Sequence, residues 1–307
     1  MRDRTVRLPA GVAGYTRQSP FTDPGRGRGL YNNLATNVPD LCRAVQGLIV
    51  HYKDPRLGRT RPSRERMKEV DLRLVSKMLT RIKALDARPL TEPRPVARRI
   101  VGCCRDFAVL FCSMARHQGI PTRVRVGFAT YFRDLPAEFH VDHTIAEVWD
   151  RTSGRWRLVD PEQSEPLARY NRLTFDPTDV PRDRFLVGGR AWQMCRRSEA
   201  DPLSFGVEPR GPLRGSWFVR TRLLLDLAAL NRRELLLWDS WGPMNPDAEP
   251  TPRELRRYDR IADLTQGGNE ALGPIHRMFV SDRTLRPPRT VWTFSPVARP
   301  RRSRLPA

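Results

Sequence analysis

Apolar residues recur along this chain at two periods, and the changes of period mark its elements. A three-to-four-residue recurrence predicts a helix over about 40–52, capped by Asp40, with Leu41, Val45, Leu48 and Ile49 on one face. The same recurrence runs longest over 64–87, after Ser63 as cap, through Met67, Val70, Leu74, Val75, Met78, Ile82 and Leu85. A third helix is predicted over 104–118, with Phe107, Leu110, Phe111 and Met114 on one face; Gly119 ends it and Pro121 prevents its continuation. The period then drops to two. Residues 122–130 alternate, with Val124, Val126 and Phe128 on one side, as in a half-buried strand. After a loop over 131–141, strands over 143–149 and 155–160 are joined by a turn-forming stretch ending in Gly154, which predicts a hairpin. Further helices are predicted over about 187–197, 216–229 and 252–264, the last with Thr251 and Pro252 at its cap and first turn. Residues 1–32 show no period.

These elements imply an α+β chain in four stretches. An irregular arm covers 1–32, and a domain with N-terminal helices covers 33–200. A helical C-terminal extension packed on it covers 201–280, and an Arg/Pro-rich tail covers 281–307. The tail holds seven arginines, five prolines and one acidic residue, which suits an irregular end. With 307 residues the chain can bury a sizeable core without staples. The net charge of +21 points first to nucleic acid. However, only four of the 55 basic residues are lysines (Lys53, Lys68, Lys77 and Lys83), and the arginines are spread over the whole chain. A GC-rich coding bias produces that pattern, so the charge is poor evidence about partners, and nucleic acid is not expected as the main one. The five cysteines (Cys42, Cys103, Cys104, Cys112, Cys195) are odd in number and form no evident paired framework, which suggests reduced thiols and a cytoplasmic setting. No apolar h-region opens the chain and no run of about 18 apolar residues follows, so neither a signal peptide nor a membrane partner is expected.

Candidate chemistry concentrates between 102 and 160. A thiol is a weak nucleophile until its pKa falls. Cys104 stands at a predicted helix N-terminus, where the backbone dipole and unpaired N–H groups favour a thiolate and can hold an oxyanion. Arg105, with Arg98 and Arg99, would reinforce that thiolate. His143 opens a strand and Asp160 closes the next. With Trp149 opposite Trp156 in the hairpin, Ile145 opposes Asp160 and His143 lies diagonal to it on the same face, within side-chain reach. A one-residue slip would separate the two. Cys, His and Asp in this order suggest thiol-based acyl transfer.

Four blocks carry a wider resemblance: Gly-x-Cys-Arg-Asp-Phe-Ala (102–108), Gly-Ile-Pro-Thr-Arg-Val-Arg-Val-Gly-Phe (119–128), His-x-x-x-Glu-Val-Trp (143–149) and Trp-x-x-Val-Asp-Pro (156–161). In order and spacing the chain resembles the transglutaminase-like superfamily, most closely over 98–165, with flanks similar to bacterial transglutaminase-domain proteins. The resemblance implies Cys104 as nucleophile, His143 as general base and acid, and Asp160 as its orienting partner. It implies a papain-like α+β core, the nucleophile helix packed on an antiparallel sheet, with added N- and C-terminal helices. The activity implied is that of an acyltransferase or a hydrolase (thiol protease or amidase), acting through a thioester on a protein or peptide substrate. No cofactor is implied. No metal is expected either, since nothing resembles the family's acidic calcium sites and Cys103, Cys104, Cys112 and His117 fit no standard zinc spacing.

The chain departs from the family's pattern at Ile145, where many members have Trp, and at the duplicated Cys103. Cys42, Cys103, Cys112 and Cys195 read as inert buried thiols. Gln46 and His51 are weighed as an oxyanion donor or as cleft lining, and His140 and Asp142 as loop residues near the mouth. Two other functions compete: a non-catalytic transglutaminase-like module that binds peptides or proteins, and an arginine-rich nucleic-acid binder.

Overall fold

The computed structural model describes residues 8–9, 11–57 and 62–306. Its first elements arise where the sequence places caps. Helix α1 (Val38–Gln46) starts at Asn37, whose side chain accepts the Asp40 N–H at 2.9 Å, so Asp40 lies in the first turn rather than at the cap. The helix stops short of 52. At Gly47 a Cβ would meet Pro93 Cα at 2.9 Å, and the chain then turns into strand β1 (Ile49–His51). The predicted 64–87 helix is also divided, into α2 (Arg64–Met67), a 3-10 turn over 68–71 and α3 (Val75–Leu85). The break at 72–74 frees backbone for tertiary partners: Arg73 O accepts from the buried Arg105 at 2.8 Å, and Val75 N–H donates to Phe21 O at 2.9 Å. Both halves still present their apolar residues to the core, so the period survives the break.

The centre of the molecule is α4 (Cys104–His117), which follows β2 (Ile100–Gly102) and is buried on nearly every side. It packs on β3 (Thr122–Ala129) and β4 (His140–Asp150) and carries α1 on another face. Strand β5 (Arg155–Val159) completes the predicted hairpin, with Trp149 opposite Trp156. Beyond it come α5 (Glu165–Tyr170), β6 (Phe185–Val187), α6 (Gly188–Arg196) and β7 (Phe205–Gly206). The main sheet runs β5-β4-β3-β6 and is antiparallel throughout, with β7 added parallel to β4. The fold is α+β, as the sequence implied.

Helix α7 (Ser216–Leu230) lies across β3, against α6 and α8 (Pro252–Gln266). After β8 (Asp239–Ser240) and α9 (Leu272–Ser281), the chain does not end irregularly. Strands β9 (Thr290–Thr293) and β10 (Arg301–Arg304) form a small sheet in the order β10-β9-β8. Val291 and Leu305 are buried, and the Thr293 hydroxyl donates to Asp239 Oδ1 at 2.8 Å. The prolines and arginines hide the two strands from periodicity because each is four residues long. The N-terminal arm is pinned by its aromatics: Tyr15, Phe21 and Tyr31 are buried, and the Tyr15 hydroxyl donates to Leu230 O at 2.7 Å. Among the described residues no helix is long and apolar enough to cross a membrane.

Candidate active site

Cys104 is the first residue of α4, and Cys103 is its extended N-cap. Asp106 reaches back to accept the Cys103 N–H at 2.9 Å, which fixes the chain as it enters the helix. The Asp106 N–H is taken up by Cys103 O at 2.8 Å, whereas the Cys104 and Arg105 N–H groups at the helix start have no acceptor one turn back. Arg105 does not face the thiolate as the sequence suggested. Its guanidinium is buried, pairs with Asp106 Oδ1 at 3.0 Å and donates to the carbonyls of Arg73, Leu235 and Glu234. Arg98 and Arg99 donate to Leu85 O and Arg94 O. The three arginines hold backbone in place; other groups set the charge of the thiol.

His143 lies on β4 opposite Gly127 of β3. At Gly127 a side chain is excluded, because a Cβ would sit 2.1 Å from Leu186 O. The His143 ring meets Asp160 through Nε2···Oδ2 at 2.8 Å. The β4–β5 ladder ends one pair short of Ile145–Asp160, so the diagonal, same-face relation holds. Asp160 is itself fixed by Tyr131, whose hydroxyl donates to Oδ2 at 2.8 Å, and by the Glu162 N–H, which donates to Oδ1 at 3.0 Å. The edges of the Phe132 and Tyr131 rings pack around the imidazole.

The Cys104 thiol lies against three groups. Hydrogen bonding with Cys103 lowers its pKa most; burial opposes this, and hydrogen bonding with His143 and His51 lowers it further, leaving it well below the ordinary thiol value. Burial pushes His143 down, but Asp160 and Cys104 outweigh it and hold the imidazole well above its usual value. The pair therefore favours thiolate beside imidazolium. The other thiols behave oppositely. Burial pushes Cys112 and Cys195 up to about 12 and raises Cys42 further, while Cys103 is raised by its contact with Cys104 and by burial.

Three groups at the site lie outside the Cys-His-Asp pattern. Tyr131 comes from the loop after β3. Glu162, just past Asp160, is buried with Oε2 unpartnered, and burial pushes its carboxyl up to about 7. His51 arrives on β1. Gln46, weighed as a donor, points its amide at Pro161 O, 3.2 Å away. His140 and Asp142 belong to β4 rather than to a loop. His140 stacks on Phe205 with ring centres 4.3 Å apart, and Asp142 forms a two-point ion pair with Arg222 of α7. The sequence signal available for these was Asp160-Pro161-Glu162, with an acid two residues past the first. For Tyr131 the partner is too distant in sequence to be read; His51, weighed as a donor or as cleft lining, does line the cleft.

These residues open onto a cleft of about 1080 Å³. His51, Cys104, His143 and Glu162 form its floor; Phe132, Leu213, Trp217, Phe218 and Trp238 give it apolar walls, and Phe294 and Pro296 close one side. Among the described residues no group of three or more His, Cys, Asp and Glu side chains is arranged to hold a metal ion.

No curated protein matches the chain. A solved structure described as a putative cysteine protease from Cytophaga hutchinsonii is similar over 60% of this chain and 48% of that one, at 14% identity and a TM-score of 0.37, so the chain spans about half the length of that protein. The family model described as the transglutaminase-like superfamily matches residues 56–161, from the turn before α2 to the proline after Asp160. That interval contains the α4 N-terminus, the hairpin and the His143–Asp160 contact, and the chain accordingly carries a transglutaminase-like superfamily domain at residues 56–161.

Proposed function

We propose that the protein is a cysteine enzyme that performs acyl transfer or hydrolysis at an amide or peptide bond of a protein or peptide, through a Cys104–His143–Asp160 triad. The observation that carries this reading is the 2.8 Å His143 Nε2–Asp160 Oδ2 contact, which leaves the other face of the ring to the helix-start thiol of Cys104. Asp160 orients the ring and favours its charged form. The thiolate attacks the carbonyl carbon, His143 protonates the leaving nitrogen, and a thioester remains on Cys104. An amine resolving the thioester gives transamidation; water gives hydrolysis. Domain membership and the mixed apolar and polar cleft support a peptide-like substrate. In this reading 33–200 is the catalytic domain, and 201–280 extends it by supplying a cleft wall.

The test is labelling with an iodoacetamide probe near neutral pH. Labelling is expected in the wild type and in C103A, reduced in H143A and lost in C104A. Loss in C103A alone would move the nucleophile to Cys103. An unlabelled wild type would replace the enzyme with a binding module.

A further inference from the structure

Strand β1 enters the core as the parallel neighbour of β2, in a register that sets His51 against Gly102, two residues before Cys104. The Tyr52 N–H closes on Gly102 O at 3.0 Å, tying the strand end to the chain that leads into α4. The imidazole is then fixed by its own turn, because the Lys53 N–H donates to Nδ1 at 3.0 Å. A ring nitrogen that accepts an N–H carries no proton, so the neutral ring keeps its proton on Nε2. Nε2–H is therefore what His51 offers the cleft, and it is a donor. His143 is built the other way. Its Nε2 meets Asp160, so its Nδ1 is left to exchange a proton with the thiol. Both imidazoles line the cleft with Cys104 and lower its pKa, but only one of them can act as a base.

Attack on a carbonyl needs donors aimed at the oxygen as it gains charge. The α4 N-terminus supplies the Cys104 N–H, and Gln46 is engaged with Pro161 O. We propose that His51 is a catalytic residue whose Nε2–H, together with the Cys104 N–H, receives the carbonyl oxygen during attack. The proposal rests on Cys104 being the nucleophile. As the Sγ–C bond forms, the C=O π pair moves onto oxygen, which accepts both hydrogen bonds; His51 gives up no proton. On collapse the pair returns, the C–N bond breaks, and the proton from His143 leaves with the nitrogen.

Two reagents separate this role from simple support of the thiolate. Iodoacetamide alkylates sulfur without forming an oxyanion, whereas p-nitrophenyl acetate acylates it through one. Both rates are measured on the full chain at the high-pH plateau, where the thiol is fully ionised. In H51F the acylation rate is expected to fall about 100-fold, the usual effect of removing one such donor, with alkylation nearly unchanged, which also shows an intact site. H51Q, which keeps a donor, is expected to recover most of the acylation. H51N, whose shorter side chain cannot reach, is expected to repeat the H51F split should H51F fail to fold. Equal losses with both reagents, or unchanged acylation, overturn the proposal. A wild-type thiol that reacts with neither reagent overturns the Cys104 reading beneath it.

Discussion

At the scale of single residues, charge at Cys104 is set by neighbours rather than by the sequence-adjacent arginines. Cys104 is lowered and His143 raised, so the reactive ion pair forms as pH rises through the depressed thiol pKa and persists until His143 loses its proton above its ordinary value. The wild-type alkylation rate should therefore remain high into mildly acidic solution. D160N removes a carboxylate that raises His143, so the imidazolium should be lost at lower pH and the window of the ion pair should narrow from its alkaline side. A rate–pH profile of iodoacetamide labelling in both proteins tests this, and superimposable profiles would count against the pairing. The placement of Cys104, His143 and Asp160 was legible because each falls beside a local signal: a helix start, a strand start and a strand end. Tyr131 and Glu162 were not, because their roles depend on where a loop and a turn come to rest around Asp160; His51 was weighed for the cleft, but the strand that carries it was read as the end of a helix.

At the scale of elements, β3 and β4 are locked by buried charge. Glu147 accepts from Arg123 and Arg125 through Oε2 at 2.7 and 2.8 Å, and from Arg182 through Oε1 at 2.7 Å. Arg125 also forks onto Asp226 of α7 at 3.0 and 2.8 Å. Burial alone would raise Glu147, but the three arginines hold it well below the carboxylate range. A carboxylate depressed in this way contributes stability that is present above its unfolded pKa and lost only as pH falls through the lower folded value. E147Q leaves buried guanidiniums short of a counter-charge and is expected to cost about 3–5 kcal/mol in urea unfolding at neutral pH. The difference from wild type should shrink on acidification; a cost that does not change with pH would point to packing instead. The hairpin and α4 were legible from period and turn chemistry. The interruption of the 64–87 helix was not, since the apolar period continues across it and its causes, Phe21 and Arg105, lie far away in sequence.

At the scale of the whole molecule, the C-terminal strands take part in the cleft. Removing 289–307 deletes β9 and β10, uncovers Asp239 and takes away the Phe294 and Pro296 wall. That truncation is expected to lower the melting midpoint and to weaken substrate binding, seen as a higher KM, more than it slows iodoacetamide labelling. An unchanged midpoint and KM would show the strands to be dispensable. Composition at this scale showed arginines spread over the whole chain, and part of that charge is internal. Arg94, Arg105, Arg116, Arg123, Arg125, Arg220 and Arg222 are buried, bonded to carboxylates or to carbonyls such as Thr122 O, Asn245 O and Arg88 O. A guanidinium with a pKa above about 12 has no lone pair to offer an electrophile. On the proposed mechanism, a scaffold held together by arginine is inert to an acyl group carried by Cys104, while every lysine in the chain is exposed and countable: Lys53 beside the cleft, and Lys68, Lys77 and Lys83 around α2 and α3. Self-acylation, if it occurs, has only these four side-chain amines to use, and peptide mapping would find it there or nowhere among the side-chain nitrogens of this chain.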